Sequence, residues 1–107
     1  MDEVKQAEKA AEVLVVGKHE YVLEKVEGIL KGKGYSTAGS VEYDEVLKLL
    51  GDKEIDLLFI GGGIPPHERM GYLEFVQSQK PDVRVVEHFG GPATILKEVA
   101  EALSIRA

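Results

Sequence analysis

Three histidines are the side chains of this sequence best suited to chemistry, because each stands next to a carboxylate. His19, His67 and His88 all lie close to an end of an apolar segment. The adjoining glutamates are Glu20, Glu68 and Glu87. Such clusters can hold a metal ion or exchange protons, but no HxxxH or HxxE spacing joins these residues. We therefore favour surface histidines and predict no metal, no cofactor and no catalytic residue. His88 is the most interesting of the three, because it ends a predicted strand.

Two glycine segments are the second candidate for a site. Gly61, Gly62 and Gly63 follow an apolar run and precede two prolines, and Gly90 and Gly91 precede the last predicted helix. Consecutive backbone N–H groups in such loops can converge on an anion. The structural alternative, which we favour, is a loop that needs positive φ before the prolines. If a ligand binds, we expect it at Gly61, Gly62, Gly63, His88, Gly90 and Gly91.

Composition and charge exclude several classes of function. A chain of 107 residues with 44% hydrophobic and 30% charged residues is expected to form one soluble domain. It contains no cysteine and no apolar run of membrane-spanning length, and we expect no signal peptide. We therefore expect a cytoplasmic protein without a membrane partner. A net charge of −6 argues against nucleic acid as a partner, since binding it requires a basic surface.

Apolar runs and helical periodicities alternate along the chain. Strands are predicted at 13–16, 35–39, 55–60 and 83–89, and helices at 18–33, 40–51, 68–80 and 92–103. Gly32 and Gly34 are expected to end the first helix, and Ser40 to cap the second. Residues 1–12 are rich in Ala, Glu and Lys and form either a helical extension or a frayed terminus. The domain is accordingly placed at 13–107.

Each predicted helix has an apolar face at helical spacing. The residues expected to be buried are Val22, Val26, Ile29 and Leu30; Tyr43, Val46, Leu47 and Leu50; Met70, Leu73 and Val76; and Ile95, Leu96, Val99 and Leu103. The uniformly apolar run 57–60 predicts a central strand buried on both faces. Right-handed crossovers then place helices on both sides of a parallel sheet. We therefore predict a three-layer α/β/α sandwich around a parallel sheet.

Several stretches of the chain resemble the receiver (CheY-like) domain of two-component response regulators. They are VLVVGK, GYSTAGS, DLLFIGGGIP, GYLEFV and QKPDVRVV. The separation from Gly17 to Gly61, 61 − 17 = 44 residues, matches the span between the acidic pair and the phosphorylated aspartate of receivers. The resemblance covers about residues 13–103 and implies a flavodoxin-like or Rossmann-like fold with strand order 2-1-3-4, with five strands as the alternative to four.

The working residues of receivers do not carry over to this chain. Receivers end the first strand with two carboxylates that hold magnesium, and the matching positions here are Gly17 and Lys18. The phosphoacceptor aspartate corresponds to Gly61. No hydroxyl residue stands at positions 87–89, and the lysine that precedes a proline in receivers corresponds to Gly91. The resemblance therefore implies a degenerate pseudo-receiver that cannot be phosphorylated.

The chain is also shorter than a receiver by one helix and one strand, which makes 83–89 an edge strand. Val83, Val85 and Phe89 are expected on one side of it, and Arg84, Val86 and His88 on the other. An open edge can pair with a second copy. We predict a non-catalytic domain for signalling or protein interaction, which acts by dimerisation through this edge or by binding a protein partner.

The alternative function is a small-ligand protein or enzyme that binds an anion or a nucleotide at the glycine loops. A dinucleotide fits poorly, because the first strand–helix turn, GKHEYV, lacks the glycines of the G-x-G-x-x-G fingerprint.

Overall fold

The computed structural model describes residues 10–104 as four strands and four helices in alternation. The elements are β1 (Glu12–Val16), α1 (Glu20–Gly32), β2 (Ser36–Ser40), α2 (Tyr43–Asp52), β3 (Leu57–Ile60), α3 (Pro66–Gln79), β4 (Arg84–Glu87), a 3₁₀ turn (Pro92–Thr94) and α4 (Ile95–Ser104). Most of the terminal extension expected at 1–12 lies outside the described residues, and Glu12 already belongs to β1. None of the helices within 10–104 combines the length and the apolar character of a membrane span.

The four strands form one parallel sheet in the order β2-β1-β3-β4, which confirms the predicted topology. β1 and β3 are central, and the run Leu57–Ile60 is buried along its whole length, as expected. Val16 pairs with Ile60, and Ile60 pairs with Glu87. Three strands therefore end at the same level, and the loops that follow them leave the sheet side by side.

Two hydrophobic cores lie on the two faces of the sheet, because alternate residues of a strand point to opposite faces. One core is built by α1 and α4 over Val13, Val15, Leu57 and Phe59, with Leu23, Leu30, Ile95 and Val99 as its buried helical residues. The other is built by α2 and α3 over Leu14, Val16, Leu58 and Ile60, with Val46, Leu50, Tyr72 and Val76. The three-layer prediction is thus confirmed.

Helix α1 ends as predicted, and three of the four residues predicted for its buried face lie in or against the core. Gly34 has φ +96°, the N–H of Gly34 bonds the carbonyl of Lys31, and the N–H of Tyr35 bonds that of Leu30. This is a Schellman cap, which needs a residue without a Cβ at the left-handed position. The prediction that Val22 is buried was wrong: Leu23 packs on the sheet, and Val22 is 40% exposed.

Ser40 does not occupy the N-cap position that its type predicted. It is the last residue of β2, where it pairs with Val16, and the N-cap of α2 is Glu42, two residues later. Its hydroxyl still serves the helix start, since it accepts the N–H of Glu42 at 2.9 Å and donates to the Glu45 carboxylate at 2.7 Å. Pairing in the sheet has therefore shifted the N-cap position from Ser40 to Glu42, while the Ser40 hydroxyl still hydrogen-bonds the start of the helix.

The third helix and the fourth strand depart furthest from the predictions. Helix α3 begins at Pro66, and its buried stripe is Arg69, Tyr72 and Val76, so Met70, predicted to face inward, is 60% exposed. Strand β4 covers only 84–87, and Phe89, predicted to share a side with the buried Val83, is 65% exposed. Phe89 lies beyond His88, whose N–H makes the last bond to β3.

Candidate functional site

A cleft lies at the carboxyl ends of β1, β3 and β4, where ligand sites of open α/β sheets usually lie. Its volume is about 480 Å³. The exposed rim is formed by Lys18, His19, Gly62, Gly63, Gly90 and Gly91, and the buried base by Val15, Leu23, Phe59, His88 and Ile95. All six residues of the predicted ligand site line this cleft, as do Gly17 and Lys18. The structure brings these residues together, and ligand binding by them stays a prediction.

The first glycine loop is needed for close approach and not for positive φ, so the interpretation that we favoured was wrong. Within the described part of the chain, only Gly34 and Gly90 have positive φ. A Cβ at Gly61 would stand 3.1 Å from the carbonyl oxygen of Val16, and one at Gly62 would stand 3.3 Å from that of His88. Glycine is favoured because the loop passes close to the carbonyl oxygens of Val16 and His88, where a side chain would be crowded.

A buried arginine, Arg69, holds this loop in place. Its Nη2 donates to the carbonyl of Gly61 at 2.8 Å and its Nε to that of Ile64 at 2.9 Å. Its Nη1 contacts the carboxylate of Glu87 at 3.1 Å, and its guanidinium lies 4.7 Å from the ring centroid of Phe89. A buried cation is tolerated only when it is paired and hydrogen-bonded, and Arg69 meets both conditions by bonding the loop.

Sequence reasoning missed Arg69 because charged residues are normally assigned to the surface. A usable signal was present nonetheless. Arg69, Tyr72 and Val76 follow the i, i+3, i+7 spacing of a buried stripe, which places Arg69 on the inward face of α3. The carbonyls of a glycine loop just before the helix are natural acceptors for such a side chain.

His88 is a buried residue with a specific partner. Its Nδ1 lies 2.6 Å from Oε1 of Glu98 on α4, and its ring stacks on Phe59 with a centroid distance of 5.3 Å. The hydroxyl of Thr94 donates to the other oxygen of Glu98 at 3.2 Å. The surface interpretation was therefore wrong for His88, and its partner is Glu98 instead of the adjacent glutamate.

The other two histidines behave as predicted. His19 and His67 are both exposed. Within residues 10–104, no three His, Cys, Asp or Glu residues are placed to hold a metal ion. The histidine–glutamate cluster suggested by the sequence does not assemble.

The charge of the cleft is opposite to that of the chain. Its described lining contains Lys18, Lys25, His19 and His88 but no aspartate and no glutamate, whereas the whole chain carries −6. Nor does a Ser, Thr or Tyr hydroxyl line it. Magnesium prefers carboxylate and phosphate oxygens in an octahedral shell. The residues at these strand ends therefore do not fit the magnesium ion that the receiver fold implies.

Comparison with known proteins identifies the fold. No protein-family model and no curated protein matches the sequence. The signal receiver domain of an HD domain-containing protein from Pseudomonas fluorescens superposes with a TM-score of 0.67 at 20% identity, over 91% of this chain and 78% of that one. A CheY-like receiver domain from Methanospirillum hungatei gives 0.66 at 16% identity, over 90% and 78%.

A third similar structure is a complex. It holds the histidine kinase ThkA and the response regulator TrrA, the latter from Thermotoga maritima, and it gives a TM-score of 0.69 at 17% identity, over 89% of this chain and 99% of that one. These similarities agree with the strand order and layers described above. The chain therefore has the flavodoxin-like fold of response-regulator receiver domains, with Gly17, Lys18 and Gly61 at the ends of its two central strands.

Proposed function

We propose that this chain is a receiver-like signalling domain that acts by binding protein and is not phosphorylated. The observation that carries the proposal is the set of residues at the ends of β1 and β3. Gly17, Lys18 and Gly61 stand where a receiver needs two metal-binding carboxylates and a phosphoacceptor, and no carboxylate or hydroxyl lines the cleft within 10–104.

The physical chemistry of phosphoryl transfer supports this proposal. An acceptor oxygen must lie in line with the phosphorus, and a divalent cation must neutralise the developing charge. Gly61 offers no side-chain oxygen, and its carbonyl accepts the guanidinium of Arg69. Lys18 adds a positive charge that repels a divalent cation. The two nearby glutamates, Glu87 and Glu98, are engaged by Arg69 and His88.

Titration of the protein with magnesium and beryllofluoride, monitored by amide NMR, tests the proposal that this domain is not phosphorylated. We expect the resonances of Gly61, Gly62 and Gly63 to stay unchanged, because neither ion finds its ligands there. The control is a variant with aspartates restored at Gly17, Lys18 and Gly61. A specific, saturable shift of the Gly61 amide in the unsubstituted protein would contradict the proposal.

A protein partner is the second part of the proposal. The similar structure in which TrrA is complexed with ThkA shows that a domain of this fold binds a kinase. For this chain we favour self-association through β4. This strand lies at the sheet edge, and the exposed Phe89 adds apolar surface just after it in the sequence. We place this activity in the cytoplasm, as the composition suggests.

The open edge of β4 has free backbone donors available for pairing. The N–H of Arg84 bonds Asp56 and that of His88 bonds Ile60, both on the β3 side. Because successive residues of a strand alternate in direction, the N–H of Val85 points to the open edge. A second copy that pairs there would extend the sheet from four strands to eight.

Sedimentation velocity over a concentration series tests this dimer. Val85→Pro removes an outward N–H and is expected to weaken association at least tenfold. Thr37→Pro is the matched control, because the same alternation points the N–H of Thr37 to the opposite edge, on β2. A monomer at every concentration, or equal effects of the two prolines, would contradict pairing through β4.

A further inference from the structure

We propose that the cleft at the strand ends binds a small amphipathic carboxylate. The carboxylate group lies at the glycine loops, and its alkyl or aryl body lies between α1 and α4 over the sheet. This site is independent of the proposed signalling contact, which lies at β4, and it holds whether or not the domain associates.

The size and lining of the cleft define the apolar part of the ligand. A volume of about 480 Å³ falls within the range of small-molecule sites and far exceeds the size of a bare inorganic anion. The base is formed by Leu23, Phe59 and Ile95, which are 5%, 1% and 2% exposed. Val26 and Ile29 form the wall on the α1 side. These side chains offer no hydrogen bond, so they favour hydrocarbon.

Glycines create the space at the polar end of the cleft. Six of the nineteen lining residues are glycine, and all six lie in the loops that follow β1, β3 and β4. At Gly90 and Gly91 an added Cβ would meet no atom within 4 Å. The backbone is therefore accessible at this end, where a ligand oxygen can approach N–H groups without interference from side chains.

The charges at the same end select an anion. A Cβ at Gly63 would stand 3.3 Å from the Cβ of Lys18, so the Lys18 stem packs against the first glycine loop. His19 is exposed beside it, and Lys25 lies one to two turns further along α1. No acidic residue of the described chain lines the cleft. An anion thus meets cationic side chains without a competing carboxylate on the wall.

A carboxylate fits this lining better than a nucleotide. Ribose and base need side-chain amides, hydroxyls or carboxylates as partners, and none line the cleft within 10–104. A polar ribose set against Leu23 and Phe59 would lose its hydrogen bonds to water without replacement. A single anionic group attached to hydrocarbon satisfies both halves of the site.

The binding test uses octanoate and phenylacetate as probes, with amide NMR and calorimetry on the full chain. We expect saturable shifts at Gly61, Gly62, Gly63 and Gly91 with either probe. Octanol and 2-phenylethanol, which share the apolar bodies, are expected to bind at least tenfold more weakly. AMP and inorganic phosphate are expected to produce no saturable shift at the same concentrations.

Two pairs of variants separate the charge from the fold. Lys18→Gln is expected to weaken octanoate about two- to tenfold, the range for one partly exposed ion pair, whereas Lys48→Gln, at an exposed lysine outside the cleft, leaves it unchanged. Gly91→Asp places a negative charge in the cleft, and Gly28→Asp places one at an equally open position on α1 outside it. Of these two aspartate variants, only Gly91→Asp is expected to abolish octanoate binding.

Several outcomes would overturn the proposal. Equal affinity for octanoate and octanol would remove the anion requirement, and tighter binding of AMP or phosphate would replace the ligand class. Loss of binding in both aspartate variants would show an effect of net charge instead of a site. Absence of any saturable shift at millimolar octanoate would show that the cleft does not bind this class.

Discussion

Replacing Arg69 with methionine tests whether this buried cation organises the site. The substitution keeps an unbranched apolar stem and removes the guanidinium. The carbonyls of Gly61 and Ile64 then lose their donors, and each buried unsatisfied acceptor costs about 1–3 kcal/mol. The partner Glu87 also loses its cation, but its side chain is 38% exposed, so the penalty of about 3–5 kcal/mol for a broken buried pair must be discounted strongly.

Two such acceptors sum to about 2–6 kcal/mol, and because the contact at Gly61 is only partly buried, we predict a loss at the low end, about 2–3 kcal/mol, in the free energy of unfolding. For a domain of this size the corresponding fall in melting temperature is roughly 10–20 °C. Urea denaturation followed by circular dichroism measures the loss directly. Amide NMR of the same variant is expected to show changes concentrated in residues 61–64, because these are the backbone groups that Arg69 binds.

Two control variants distinguish the loop bonds from the ion pair. Arg69→Lys keeps the charge but loses the planar fork, so we expect an intermediate loss. Glu87→Gln keeps an acceptor for Nη1 and is expected to cost less than about 1 kcal/mol. The reasoning fails if Arg69→Met lies within about 0.5 kcal/mol of the unsubstituted protein. It also fails if Glu87→Gln costs as much as Arg69→Met.

Three further predictions concern single positions in the two cores and the glycine loops. Gly71→Ala should destabilise the folded chain by about 1 kcal/mol, because the added Cβ would overlap the Tyr43 hydroxyl, even though alanine favours helix. In a double-mutant cycle, Tyr43→Phe should relieve part of this loss. Gly61→Ala should be at least about 1 kcal/mol less stable than Gly91→Ala in urea, since only the former meets a strand carbonyl. Burial raises the pKa of Tyr72, with help from a nearby negative charge, so the folded state holds a neutral phenol. The contribution of Tyr72 to the free energy of unfolding should therefore be fully present below pH about 10 and be lost as the pH rises through the folded pKa. Tyr72→Phe should flatten that decline in alkaline thermal melts.

The sheet was predictable from the sequence because its signals are local. The uninterrupted apolar runs of β1 and β3 can be satisfied only by burial on both faces, and the helical faces of α2 and α4 repeat without ambiguity. Glycines at the end of α1 gave the correct stop, since Gly34 occupies a conformation that other residues avoid. The handedness of the crossovers placed the helices on both faces, and the strand order came from the resemblance to receiver domains.

The failures arose where tertiary contacts override local preference. Ser40 is a good cap by type, but pairing with β1 keeps it in a strand. Met70 is more apolar than Arg69, yet the arginine is inside because it binds the loop carbonyls. His88 finds Glu98 across a turn and a helix start, a pairing that no short motif announces. In each case the deciding partner is another element of the fold.

The position of the cleft was predictable and its interior was not. Glycine loops after parallel strands point to the carboxyl edge of the sheet, and the structure brings Gly61, His88 and Gly91 together there. The apolar base formed by Leu23 and Phe59 depends on how α1 and α4 pack over the sheet. That packing distance is not encoded in the spacing of the glycines.

Intact-mass spectrometry after incubation with acetyl phosphate and magnesium is the most direct test of the central claim. That claim is that backbone and a lysine have replaced the reactive carboxylates at the ends of β1 and β3. We predict that the mass does not change, while a phosphorylatable receiver treated in parallel gains one phosphoryl group. A hydroxylamine-sensitive adduct on this chain would show an acyl phosphate on a carboxylate and would contradict the account.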